Sequence, residues 1–105
     1  MSEKNIINIT QSGSTTLPDP VEGTTFTSVY VDANGSVTIT MPLLANLAAG
    51  QSWLIKDVSG LAGTNNIAIN ANTGYTIDGA SALTISTNNG YVTLEWDGAN
   101  MVVAT

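Results

Sequence analysis

The stretch GTNNIAINANTGYTIDGASALTISTNNGYVTLEWDGANMVV, residues 63–103, alternates apolar side chains with Asn, Thr, Ser and Ala between turns marked by glycine. Ile67 and Ile69 fall on one side of an extended chain. Leu94 and Trp96 repeat this pattern near the end of the stretch. A period of two is typical of a β-strand with one buried face. The stretch therefore predicts a series of short, half-buried strands.

The same signals continue towards the N-terminus as far as residue 26. The predicted strands are residues 26–31, 36–41, 52–57, 66–70, 82–86, 91–96 and 101–104. Short strands at this spacing are typical of β-sandwiches and barrels. The helical candidate is the segment 43–50, which follows Pro42 and ends at Gly50. We predict an all-β domain spanning residues 26–105.

Four Asx-Gly pairs mark the turns between these strands. They are Asn34-Gly35, Asp78-Gly79, Asn89-Gly90 and Asp97-Gly98. Residues that tolerate a positive φ are what tight hairpin turns require. The pairs therefore predict hairpins, and with them a small, mostly antiparallel β-sandwich.

Residues 1–25 have a different composition and are predicted to form an N-terminal arm and linker. The segment 11–25 is rich in Ser and Thr, contains two of the three prolines and shows no apolar period. Before it, Ile6, Ile7 and Ile9 form a β-branched run that is too short to make a stable sheet alone. We predict that this run adds as a strand to a neighbouring chain.

Charge and composition exclude several classes of function. The chain has 105 residues and a net charge of −6, with Lys4 and Lys56 as its cations, so neither nucleic acid nor an anionic membrane is an expected partner. It contains no Cys, and therefore has neither a disulfide framework nor a thiolate metal site. Residues 1–10 lack the apolar run of a signal peptide, so we expect synthesis and folding in a cytosol.

The predicted outer strand faces carry Thr, Ser, Asn and Ala where a solvated sheet usually carries Lys and Glu. Charged side chains guard edge strands against pairing with other chains, and here they are scarce, at 10% of all residues. A small β domain without these guards is expected to cover its faces and edges with copies of itself or with a partner. We predict a homotrimer.

Candidate metal and carboxylate sites each have a simpler structural interpretation. Asp32–Ser36 is similar to the start of a calcium loop, but the spaced acidic ligands and closing Glu are missing, so a hairpin turn is favoured. Glu95 and Asp97 are spaced like the paired carboxylates of a glycosidase. Asp97, however, opens a turn, where local hydrogen bonding is the usual role. We expect no metal, no cofactor and no catalysis.

The remaining polar and aromatic side chains also fit structural roles. Nucleophilic catalysis by Ser or Thr needs a neighbouring base, and the chain has no His. Lys56 beside Asp57 is interpreted as a surface charge pair. The aromatic side chains could form a sugar-binding platform, but Trp53 and Trp96 are in phase with the core positions of their strands and are predicted to be buried. Tyr30, Tyr75 and Tyr91 are possible trimer contacts, because Tyr is enriched at interfaces.

Residues 41–105 resemble a pattern that recurs in bacteriophage virion proteins, in tail-fibre tips and in head fibres or decorations. The segments that carry the resemblance are WLIKDVSG (53–60), GTNNIAI (63–69), TIDGA (76–80), TISTNNGYVTL (84–94) and DGANMVV (97–103). Met101 stands where an aromatic residue is common in that pattern. The resemblance implies a jelly-roll-like or tail-fibre-like β-sandwich that often assembles as a trimer.

The resemblance further implies a structural role on the virion. A short subunit with a polar arm is expected to be a capsid decoration, or cement, protein that binds the major capsid protein on the outer surface of the head. In that role Ile6, Ile7 and Ile9 would contact the capsid. The alternative is a head-fibre or tail-fibre tip module that recognises a host glycan. A fragment of a capsule-degrading enzyme is less favoured, because no convincing acid/base pair is present.

Overall fold

The computed structural model describes residues 3–20, 24–43, 45 and 47–104. Within these residues the regular elements are nine strands, and no α-helix is present. The strands are β1 Glu3–Ile9, β2 Gly13–Thr16, β3 Thr24–Val31, β4 Val37–Thr40, β5 Ser52–Asp57, β6 Ile67–Asn70, β7 Ala82–Ile85, β8 Tyr91–Trp96 and β9 Met101–Val103. The all-β prediction is therefore confirmed, and each predicted strand is found within two residues of its expected bounds.

The strands form two mixed sheets. The five-stranded sheet has the order β1-β3-β5-β8-β9, and the four-stranded sheet has the order β2-β4-β6-β7. From β1 to β6 the chain crosses from one sheet to the other after every strand. Each consecutive pair, β1–β2, β3–β4 and β5–β6, therefore contributes one strand to each sheet and is called a rung here.

Successive rungs stack in parallel, so the antiparallel prediction is wrong for this part of the molecule. β1 pairs with β3, β3 with β5, β2 with β4 and β4 with β6, all parallel. Parallel neighbours need a crossover of a dozen residues or more, and the intervening strand in the opposite sheet supplies it. Among the nine described strands, the pairs β5·β8, β6·β7 and β8·β9 are antiparallel.

The positions of the Asx-Gly turns explain why the prediction of mostly antiparallel strands was wrong. Asp97-Gly98 joins β8 to β9 within one sheet, and Asp78-Gly79 closes a tight turn in which Ile77 and Ala80 exchange main-chain hydrogen bonds of 2.7 and 2.9 Å. Asn34-Gly35 and Asn89-Gly90 instead lead from one sheet to the other. The pairs correctly predicted turns, but two of them join sheets and are not hairpins.

One core fills the space between the sheets. It consists of the inner-face side chains of both, including Val29 and Ile55 from the five-stranded sheet and Ile39 and Ile69 from the four-stranded sheet, each 0% exposed. Trp53 and Trp96 are both 2% exposed, which confirms the prediction that they are core residues. Burial of apolar area on this scale is the main stabilising term for a small β domain.

The N-terminal segment differs from the extended arm that the sequence predicts. β1 pairs with β3 of its own chain over its full length, with Ile9 opposite Val31. The predicted linker contains β2, and Leu17 is buried at 3% exposure. β1 and β2 thus form the first rung of the same two sheets, because parallel stacking gave the isoleucine run an edge within its own chain.

The helical candidate at residues 43–50 is also wrong for the residues that the structure describes. Leu43 is exposed and not helical, and Gly50 ends a turn with φ +94°. The Ala48 N–H donates to Gln51 Oε1 at 2.8 Å. Leu44 and Asn46 lie outside the described residues.

Candidate interaction surfaces

The outer face of the five-stranded sheet combines aromatic and aliphatic side chains with polar ones. The register places Asn8, Tyr30, Lys56 and Tyr91 in one cross-strand row. The row beside it contains Ile6, Ser28, Leu54 and Thr93. Ile6 is 54% exposed and Tyr91 59% exposed, and Val102 on β9 is 38% exposed. This face is called the aromatic face here, and its exposed apolar side chains stand beside the charged Lys56 and Glu95.

Ser28 adds an unpaired polar group to the aromatic face. Its hydroxyl is covered by neighbouring residues, at 0% exposure of the residue, and the Oγ atom has no hydrogen-bond partner. A buried hydroxyl without a partner costs about 1–3 kcal/mol. The aromatic face is therefore already partly dehydrated within one chain.

The three tyrosines predicted as trimer contacts lie in different places. Tyr30 and Tyr91 are on the aromatic face, where a partner chain has access to them. Tyr75 is 7% exposed, packs edge-on against Trp96 with ring centroids 5.0 Å apart, and donates its hydroxyl to the Pro42 carbonyl at 2.6 Å. Tyr75 is therefore a core residue, and the prediction that it contacts another chain is not supported by its position.

Lys56 and Asp57 do not form the surface charge pair that their adjacency suggested. Neighbouring residues of a strand point to opposite faces, so Lys56 projects from the aromatic face while Asp57 points inwards. Lys56 Nζ donates to the Asn89 carbonyl at 2.8 Å and lies 5.7 Å from the centre of the Tyr91 ring. Asp57 is 1% exposed.

Asp57 fixes two loops at the end of β5. Its Oδ1 accepts hydrogen bonds from the Ser59 N–H and hydroxyl, and its Oδ2 accepts from the N–H groups of Ala62 and Asn89, at 2.9 and 3.0 Å. Burial alone would raise the pKa of Asp57, but these hydrogen bonds to its charged form hold the pKa below 3.8. The signal in the sequence was an Asp at an inward position of SWLIKD, directly before Val-Ser-Gly.

Asp97 has the structural role that its turn position predicts. Its Oδ1 accepts hydrogen bonds from the Ala99 and Asn100 N–H groups, both at 2.8 Å. These hydrogen bonds, that from Asn100 first, lower the pKa of Asp97 below 3.8. Glu95 is exposed on β8, while the Asp97 carboxylate is turned into its own loop. The Asp97 carboxylate therefore forms hydrogen bonds within its own turn and does not face Glu95 as an acid/base partner would.

The loop Asp32–Ser36 passes from β3 to β4 and packs on the turn of the rung below. A Cβ atom added at Gly35 would lie 2.8 Å from the Ser12 Cβ, so only glycine fits this contact. The Ser36 carbonyl accepts from the Gly13 N–H at 3.0 Å. The loop is a stacking contact between rungs, although it is not the hairpin that the sequence predicts.

Main-chain groups along β1 and β2 point away from the sheets and meet no strand among the described residues. The Ile9 carbonyl accepts from the Asp32 N–H at 2.8 Å, so by alternation the groups of Ile6 and Asn8 face outwards. The Gly13 N–H donates to the Ser36 carbonyl, directly before β4, which leaves Ser14 facing outwards. Both edges belong to the first rung, and together they are called the open end.

The opposite end of the five-stranded sheet is closed. The Met101 N–H donates to the Thr76 carbonyl at 2.9 Å, and the Met101 carbonyl accepts from the Asp78 N–H at 3.0 Å. The next outward donor of β9, the Val103 N–H, is bonded to Asp78 Oδ1 at 3.0 Å. The segment 76–78 therefore covers the edge of β9 and is called the closed end.

The outer face of the four-stranded sheet is small, polar and uncharged. Its rows contain Ser14, Thr38, Ala68 and Thr84, and beside them Thr16, Thr40, Asn70 and Ala82. The inner neighbours Val37, Ile39, Ile67 and Ile69 are buried. This face matches the expectation of Thr, Ser, Asn and Ala on the second side of the strands.

Among the residues that the structure describes, no group of three or more His, Cys, Asp or Glu side chains is placed to hold a metal ion. No helix in the described part of the chain is long and apolar enough to cross a membrane. No known family matches the chain. No curated protein matches its sequence.

Proposed function

We propose that this chain is a structural subunit of a bacteriophage virion, a capsid decoration protein that binds the assembled head as a trimer and acts without catalysis. The aromatic face is the observation that supports this most directly. It presents Ile6, Tyr91 and Val102 to the surroundings next to the half-buried Tyr30 and Leu54. Burying such a face against copies of itself removes apolar area from water.

The remaining surface fits a role in attachment. The four-stranded sheet offers an uncharged face of Thr, Ser, Asn and Ala, which a trimer would present three times. A subunit that binds the completed lattice and not its looser states stabilises that lattice by its binding free energy. Three linked contacts multiply the effect through effective concentration. No reacting group is needed for this function.

The alternative is a head-fibre or tail-fibre tip module that binds a host glycan. The exposed ring of Tyr91 with the Lys56 ammonium 5.7 Å from its centre is the observation that favours it. An aromatic ring beside a hydrogen-bond donor is a common way of holding a sugar. In this case the same face would contact the glycan instead of another copy of the chain.

Light scattering tests the trimer. A mass that is a multiple of three 10.8-kDa chains is expected, and the double variant Tyr91→Ser, Val102→Ser should lose it while remaining folded. Thr38→Ser with Thr84→Ser, on the four-stranded sheet, is the matched control and should leave the mass unchanged. A monomeric wild-type chain at all concentrations overturns the trimer.

Co-sedimentation tests the capsid role. Heads of the phage that encodes the chain, purified without it, should bind the added protein to saturation, with density on the outer surface by electron microscopy. Density confined to the tail or to fibres contradicts the decoration role. Binding to host-cell glycans that the Tyr91→Ser variant loses would favour the alternative.

A further inference from the structure

We infer that two copies of this chain join head to head at the open end, with the β1 edge of one pairing antiparallel to the β1 edge of the other. This contact goes beyond the proposed trimer, because it uses the main-chain edge of β1 and not the side chains of the aromatic face. A strand edge with free N–H and C=O groups is a template for another strand unless it is covered or charged. The edge of β9 at the closed end is covered, whereas no described residue covers the edge of β1 at the open end.

The contrast between the ends rests on particular donors. At the closed end, the outward N–H groups of Met101 and Val103 are both bonded to the segment 76–78. At the open end, β1 is seven residues long, more than twice the length of β9, and directs the main-chain groups of Ile6 and Asn8 outwards. The open end also leaves the first rung incompletely packed, since all four residues of β2 are exposed.

A second copy fits this edge better than a charged partner does. Residues 5–18 contain no charged side chain, although the whole chain carries a net charge of −6. Two copies can therefore meet here without like charges facing one another across the contact, which elsewhere on the surface would oppose association. Glu3 and Lys4, the charged residues of β1, have opposite signs, so the open end carries no net charge.

The outward-facing residues of β1 are placed symmetrically about its centre, so a twofold axis there would pair all of them with the second copy. β1 runs from Glu3 to Ile9, and its central residue is Ile6, whose main-chain groups face outwards. An axis through Ile6 pairs it with Ile6 of the second copy and pairs Lys4 with Asn8 of the second copy. Three such residue pairs with two hydrogen bonds each give about six main-chain hydrogen bonds. The exposed Ile6 side chains become cross-strand neighbours.

This axis is perpendicular to the five-stranded sheet and brings the two β2 edges to the same side. It is compatible with a trimer in which the aromatic faces of three chains surround a threefold axis. Twofold axes that meet a threefold axis at right angles generate a closed assembly of six chains. The head-to-head contact and the trimer contact are therefore independent, and each can be removed without the other.

Single cysteines test the predicted register, since the chain has no native cysteine. In an antiparallel hydrogen-bonded pair the Cα atoms are about 5.5 Å apart, which is within reach of a disulfide. The Ile6→Cys variant should therefore form a covalent dimer under mild oxidation. Asn8→Cys is the control, because the two copies of residue 8 would be displaced by four residues, about 13 Å, and should not cross-link.

Proline variants test the edge itself. Asn8→Pro removes an outward N–H and leaves the bonds from β1 to β3 in place, so the mass by light scattering should fall to half that of the wild type. Thr84→Pro is the matched control on the far edge of the four-stranded sheet, where the Ser81 carbonyl binds Ala71 and residue 84 faces outwards. It should leave the mass unchanged.

The outcomes separate this inference from the proposed function. In one outcome, the oligomer mass falls in the Tyr91→Ser, Val102→Ser variant but not in Asn8→Pro, and Ile6→Cys cross-links no better than Asn8→Cys. This outcome overturns the head-to-head contact and keeps the trimer. Cross-linking of Ile6→Cys in a protein whose mass is two chains, not six, supports the head-to-head contact and overturns the trimer. Equal cross-linking at residues 6 and 8 overturns the predicted register and with it the inference. If Asn8→Pro fails to fold, the cysteine pair decides alone.

Discussion

The two edges of the five-stranded sheet, at β1 and at β9, end in different ways. At the closed end, Asp78 and the main chain of Thr76 take up the outward hydrogen bonds of β9. At the open end, the outward groups of Ile6 and Asn8 have no strand opposite them within the described residues. The comparison teaches that a carboxylate and a tight turn can cover a strand edge, and among the described residues the edge of β9 has this cover while the edge of β1 does not.

The difference between the ends should be largest in the cost of removing core side chains. Ile7 and Ile55 lie in the same cross-strand row, but Ile55 is 0% exposed and Ile7 is half-buried in the first rung. We expect Ile55→Ala to cost about 4 kcal/mol and Ile7→Ala about 1.5 kcal/mol in the free energy of unfolding. Urea denaturation of dilute protein measures both, and equal costs would show that the open end is as well packed as the centre.

Removing the Asp57 carboxylate should be the next largest effect. Asp57→Asn replaces a charged acceptor of four hydrogen bonds by a neutral amide that also brings two donors into a site lined by donors. We expect a loss of about 3 kcal/mol in the free energy of unfolding. Asp32→Asn, at an exposed position, is the control and should stay within about 0.5 kcal/mol. A loss in Asp57→Asn no larger than the control would mean that the two loops hold together without it.

Opening the closed end tests the comparison directly. Asp78→Ala removes the acceptor of the Val103 N–H and places alanine at a φ of +49°. Both changes are unfavourable, and we expect a loss of about 1–2 kcal/mol together with faster amide exchange at Val103. Asp78→Asn keeps an acceptor oxygen and tolerates the same φ, so it should cost less than half as much. Similar exchange in both variants would argue against the side-chain cap.

The pH dependence of stability should reflect the two aspartates whose pKa values are lowered in the folded chain. The pKa values of Asp57 and Asp97 lie below 3.8 in the folded chain, because hydrogen bonds favour their charged forms. The folded state therefore binds fewer protons than the unfolded state near this pH, and the stability that the two groups contribute is complete above it. It is lost as the pH falls through 3.8 and below. The melting temperature should fall over this range, and it should fall less in Asp57→Asn.

The smallest effect is expected at Ser28. Its buried Oγ has no partner, so Ser28→Ala removes an unpaired polar atom without leaving another one behind. We expect no loss, or a gain of up to about 1 kcal/mol, measured by urea denaturation. A clear loss of stability would indicate that the hydroxyl has a partner on the aromatic face in solution.

Local pattern predicted the elements of this fold better than their arrangement. The alternation in SWLIKD and YVTLEW located β5 and β8 to the residue, because a period of two and its flanking turns are local properties. Sheet order depends on which distant strands meet, and the sequence carries no local mark of this. Asn89-Gly90 looks the same whether it joins two paired strands or leads from one sheet to the other.

For the surfaces, too, the sequence predicted local properties but not which residues of distant strands lie together. The lack of charge on the outer faces was visible in the sequence, and it correctly described the four-stranded sheet. That Tyr30, Lys56 and Tyr91 share a row was not visible, since three strands from distant parts of the chain supply them. The inward position of Asp57 was predictable from the alternation in its strand, but adjacency to Lys56 suggested a salt bridge instead.

The rung also has a consequence for how such a molecule can change in length over evolution. Each rung repeats the previous one in the same register, so duplication of a rung would raise the stack by one strand spacing, about 4.8 Å, and leave its cross-section unaltered. The turn at Gly35 already shows the contact that such a copy must reproduce, a glycine against the serine below. Gene duplication could therefore change the number of stacked rungs, and with it the length of the molecule along the stack, in fixed steps. The composition of the outer sheet faces could change separately.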